Sequence, residues 1–165
     1  MKNGKYARAY IYMTCAAVCF IIIFILIIRM FAVNSISKTD FGDMKNSVIT
    51  VAKLQNVIKD GDAQMVRRLY GIDPSEYEGV YLEYPETNMG ADELLIVKLK
   101  STSQQKKVSN AIKKRNAEQL KNFDGYGTDQ YGLLKKQLTE IRGNYVLYVV
   151  AKDTTDIKKA FEKKL

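Results

Sequence analysis

From Ala9 to Ile28 the chain carries no charged side chain, and from Phe20 to Ile28 every residue is aliphatic or aromatic. About 20 residues in a helix rise about 30 Å, the thickness of a bilayer's hydrocarbon core. A helix buried in a globular core keeps a polar stripe, and this run has none past Thr14. It therefore predicts a transmembrane helix, with Ala9, Phe20 and Ile28 inside the span. Lys2, Lys5 and Arg8 precede it and favour a cytoplasmic N-terminus, and Arg29 at the far end can snorkel. The run exceeds a signal-peptide apolar region, and Met30-Phe31-Ala32 is a poor cleavage site. The expected plan is a cytoplasmic tail (1–8), a transmembrane anchor (9–33), a linker (34–42) and an extracytoplasmic domain (43–165). The expected location is the cell membrane, crossed once.

Both cysteines, Cys15 and Cys19, lie one helical turn apart inside the apolar run, and the chain has no histidine. The rest of the chain thus lacks a disulfide framework, a thiolate nucleophile, and the commonest general base and metal ligand. Charge is unevenly placed. Residues 30–97 carry 6 basic and 11 acidic side chains, while residues 98–165 carry 16 and 7.

Apolar residues Met44, Val48, Val51, Leu54, Val57 and Ile58 keep helical spacing and predict one helix of about four turns. Asp62 reads as the cap of a second helix that stops at Gly71. Val80–Tyr84 alternates as a strand ended by Pro85. Glu93–Lys100 is a second strand, apolar on both faces at its centre and so an inner one. Ser101-Thr102-Ser103 opens a long helix to about Asn122. Thr128 opens another, with Tyr131, Leu134, Leu138 and Ile141 turned inward. Tyr145–Ala151 is the most β-prone run. Asp153 and Asp156 start a terminal helix through Ile157, Ala160 and Phe161. The expected class is α+β, in the order α-α-β-β-α-α-β-α. A three-stranded, at least partly antiparallel sheet carries helices on one face.

Several of these segments together resemble a known family. LYGID at Leu69–Asp73, ADELLIVKLK at Ala91–Lys100, YGTDQYGLL at Tyr126–Leu134 and GNYVLYVV at Gly143–Val150 are similar to Domain of Unknown Function family 4358. The resemblance spans roughly residues 40–163. It implies an envelope protein of Gram-positive, largely clostridial, bacteria and brings no activity or catalytic residues. Many members resemble lipoproteins, and this chain departs from them in lacking a lipidation cysteine.

No motif marks a catalytic, cofactor or metal site. Asp60 and Asp62 lack the order of an EF-hand loop and read as a loop and a cap. Glu83, Glu86, Asp92 and Glu93 cluster near one hairpin without marking an acid–base pair. Lys107, Lys114 and Lys121 recur every seven residues on the helix over 103–122. Lys106, Lys113 and Arg115 stand beside them, giving either a solvated face or a contact for anionic lipid or wall polymer. Of the many tyrosines, the glycine-flanked Tyr126 is the one expected to face a ligand. The leading expectation is non-enzymatic binding of an envelope protein or polymer, without nucleic acid. A hydrolase using carboxylates or a Ser/Lys pair is the alternative, and contact with an anionic surface through the basic helix is another.

Overall fold

The computed structural model describes residues 12–25 and 36–165. The chain divides into two compact units, Met1–Ser35 and Ile36–Leu165. In the first, residues 12–25 are helical. Among the described residues no helix is long and apolar enough to cross a membrane. The expected transmembrane helix is therefore corrected: what is described is an apolar helical stretch over 12–25, which contains Phe20 and exposes both cysteines. Ala9, Ile28, the basic flank and the tail expected over 1–8 lie outside the described residues.

The second unit is α+β, but its sheet has five strands where three were expected. The helices are α1 (Phe41–Ala52), α2 (Ala63–Tyr70), α3 (Gln105–Phe123), α4 (Thr128–Lys135) and α5 (Thr155–Lys163). The strands are β1 (Val57–Ile58), β2 (Gly79–Pro85), β3 (Glu93–Lys98), β4 (Leu138–Arg142) and β5 (Tyr145–Val150). They lie side by side as β1-β2-β3-β5-β4, every pair antiparallel.

Both extra strands come from segments that keep helical spacing. The first predicted helix stops six residues early, at Ala52. Lys53 takes a left-handed conformation, and Asn56 and Asp60 follow it in positive φ. The backbone then turns Val57 and Ile58 against Pro85 and Tyr84. The helix from Thr128 likewise ends at Lys135, and Leu138 and Ile141 fall on a strand. Three residues apart, they share a helix face but lie on opposite faces of a strand. Leu138 packs into one core and Ile141 into the other.

That split shows a second correction: helices cover both faces of the sheet. On one face, α2, α3 and α4 bury Val66, Tyr70, Val108, Ile112 and Leu134 against Leu82, Leu95, Val97, Val146 and Tyr148. On the other, Met44 and Val48 of α1 and Ile157 and Phe161 of α5 cover Tyr81, Leu94, Ile96, Tyr145 and Leu147. Sandwiched in this way, β3 and β5 are buried at every residue, as expected of strands apolar on both faces.

Two caps agree with the sequence, while Thr128 does not cap α4, whose N-cap is Gly127, and α5 starts after Thr154 without a side-chain cap. The Asp62 carboxylate accepts from the Met65 amide at 2.8 Å, and Gly71 closes α2 at φ 66°. Ser101 and Gln104 form a reciprocal capping box ahead of α3. Ser37 and Thr39 are tied to the domain: the Ser37 amide donates to Asn144 Oδ1 at 2.9 Å, and the Tyr145 hydroxyl donates to the Thr39 carbonyl.

Candidate functional site

A cleft of about 610 Å³ is walled by α2, α3 and the turn between β2 and β3. Its floor is a polar network on the α2/α3 face of the sheet. Glu93 opens β3, and its side chain points to the same face as Leu95 and Val97. Arg115 reaches it from α3. Its Nε donates to both carboxylate oxygens at 3.1 and 3.2 Å, and Nη2 donates to Oε2 at 2.8 Å. The Tyr70 hydroxyl of α2 donates to Oε1. With its amide oxygen turned toward the guanidinium, Gln119 accepts from Arg115 Nη1 at 2.5 Å and Nη2 at 2.6 Å. Tyr148 sits edge-on to Tyr70, ring centres 6.4 Å apart, and donates to Asn116 Oδ1.

Burial sets the titration of these groups. It pushes the Tyr70 and Tyr148 hydroxyls well above their ordinary value, and the Glu93 charge adds to it. Burial alone lowers Arg115, but the bonds and charge of Glu93 outweigh it and hold the guanidinium more firmly charged. Both Glu93 oxygens are engaged, and no free acid, base or nucleophile is left at the floor.

Above the floor the cleft is mixed. Met65 and Leu69 of α2 give an apolar patch, and Asn88 and Asn122 contribute amides. Its charges balance: Arg68 and Glu86 line the mouth, and Glu93 neutralises Arg115. Tyr84 and Tyr126 supply aromatic rings. Tyr126 is 63% exposed and leans on the buried Phe123 ring, centres 6.1 Å apart. Gly125, at φ 84°, makes the left-handed turn that brings it to the rim. A second hollow of about 380 Å³ shares Glu86, Thr87 and Gly90, so the two flank one hairpin tip.

Other candidate residues lie elsewhere. Lys107, Lys114 and Lys121 are all exposed on α3; Lys107 is bound to Glu76, and Lys114 stands 3.9 Å from Glu118. The carboxylate cluster is dispersed by the sheet. Glu83 shares the α1/α5 face with Tyr81 and accepts its hydroxyl at 2.7 Å, while Glu93 lies on the α2/α3 face. Asp92 lines the second hollow. Burial raises its carboxyl, and no neighbouring carboxylate contributes. Asp62 is spent as a helix cap. Among the described residues, no group of three or more acidic or cysteine side chains is placed to hold a metal.

Arg115 is the residue that sequence reasoning misplaced, grouped there with the solvated lysines. The signal was present: Val108, Ile112, Arg115 and Gln119 step along one stripe at helical spacing. A basic residue on that stripe calls for a buried acid, and Glu93 supplies it.

The model of one family, Domain of unknown function (DUF4358), matches residues 51–151. No curated protein and no solved structure matches the chain.

Proposed function

Because the chain belongs to this family of unknown function, which lends it no activity, we propose a function from the cleft: non-enzymatic binding of a neutral, hydroxyl-rich ligand such as a segment of a glycan polymer. The observation that carries it is the contrast between floor and rim. The floor's charged groups satisfy one another, while the rim presents the amides of Asn88 and Asn122 and an exposed tyrosine. Each amide offers a donor beside an acceptor, which matches neighbouring hydroxyls, and a tyrosine ring gives an apolar face with a polar tip. Balanced charge disfavours a strongly ionic ligand. An extracytoplasmic place for the domain belongs to the same proposal and is supported by the family resemblance.

Calorimetric titration of the full chain with neutral oligosaccharides, N-acetylated hexosamine oligomers and glucans, tests the reading. Binding without cleavage is expected, weakened at least tenfold by Tyr126→Ala and by Asn122→Ala. Release of shortened products, or binding unchanged in both variants, overturns it.

A further inference from the structure

The sheet ends differently on its two sides. One edge is β1, two residues long; the other is β4, five residues long and half-buried throughout. Among the described residues no strand pairs with the outer side of β4, where N–H and C=O groups of alternate residues face outward. A groove of about 220 Å³ runs between that strand and α3, with Ile112, Ala117 and Leu120 on the helix side and Gln137 and Thr139 on the strand side. α3 and β4 run in opposite directions along it. Gln105 Nε2 donates to the Gly143 carbonyl at one end, and Leu120 lies by Gln137 at the other.

Charge along this groove is one-signed. Lys113 lines it, and Lys106 continues the same stripe seven residues earlier. Among the described residues neither lysine pairs with an acid. The charges of β4 itself do not offset them. Glu140 is bound by Lys158, and Arg142 lies 3.3 Å from Glu162, both partners on α5 across the sheet.

We propose that β4 and the α3 groove form a docking site for an extended acidic segment of a partner protein, added as a sixth strand. Main-chain bonds to β4 hold the segment, and Lys106 and Lys113 select acidic side chains on its helix-facing side. Five β4 residues span about 17 Å, enough for a segment of five to seven residues. This surface is separate from the cleft and does not rest on the glycan reading.

The test uses the full chain and an end-capped heptapeptide alternating glutamate and valine, with the lysine–valine peptide as control. Expected are at least tenfold tighter binding of the glutamate peptide and at least tenfold slower hydrogen exchange at the outward amides of β4. Lys106→Glu with Lys113→Glu is expected to reverse the preference, and Lys106→Gln with Lys113→Gln to erase it. Both lysines are exposed, so unchanged melting verifies the fold. Equal or absent binding of the two peptides, protection elsewhere than β4, or a chain already paired through β4 with a second copy overturns the proposal.

Discussion

The two faces of the sheet are built on different principles. The α1/α5 face is closed by apolar side chains, with Met44, Val48, Ile157 and Phe161 meeting Leu94, Ile96 and Leu147. It also holds polar pairs, Tyr81 with Glu83 along one strand and Lys98 of β3 with Glu78 ahead of β2. The α2/α3 face instead buries an ion pair that joins β3 to α3, tied through Tyr70 to α2, and opens a cleft above it. A face closed mainly by apolar side chains gains most of its stability from buried area. A face crossed by a charged network gives some of that up and fixes helix positions by direction, which suits a preformed binding site.

Breaking the network separates the two faces most strongly. Glu93→Ala leaves Arg115 charged and buried, and is expected to cost about 3–5 kcal/mol in chemical denaturation. Replacing both partners, Glu93→Leu with Arg115→Leu, is expected to recover most of that loss while abolishing ligand binding. Recovery of binding along with stability would mean that the network has no part in the site.

On the opposite face the sensitive point is steric. A Cβ on Gly79 would lie 2.4 Å from Cγ of the Phe41 ring, which must then move off the sheet. Gly79→Ala is expected to cost about 1–3 kcal/mol as overpacking, leaving ligand affinity at the cleft unchanged.

The smallest effect lies outside both cores. Asp73, which accepts from Arg67 and from Ser75, has its carboxyl lowered to about 2 from 3.8. A depressed folded value stabilises the protein above the unfolded value and loses that effect as pH falls through the folded one. Asp73→Asn is therefore expected to lower Tm slightly at neutral pH. The difference from the unaltered chain should shrink below pH 3.8 and disappear only as pH falls through about 2.

How much of this was legible in the sequence varied with what set each element. Where a residue acts locally, the sequence was explicit: Asp62 as a cap, Gly71 as a stop, and β3 as an inner strand from its apolar centre. Where tertiary pairing decided, it was not. Val57–Ile58 and Leu138–Ile141 keep helical spacing, and only their register against β2 and β5 makes them strands. The N-terminal apolar run has the composition of a membrane span, yet among the described residues no helix is long and apolar enough to cross a membrane. At the cleft, the turn glycines pointed to Tyr126, but Arg115 and Glu93 are 22 residues apart and meet only once α3 lies across β3.

Chemical-shift mapping of the full chain during titration with an N-acetylated hexosamine oligomer tests the binding cleft most directly. Perturbations are expected at Asn88, Gln119, Asn122 and Tyr126, with the α1/α5 face silent and the oligomer intact after prolonged incubation. Shifts confined to α1 and α5, or cleavage of the oligomer, would contradict a binding cleft above a closed network.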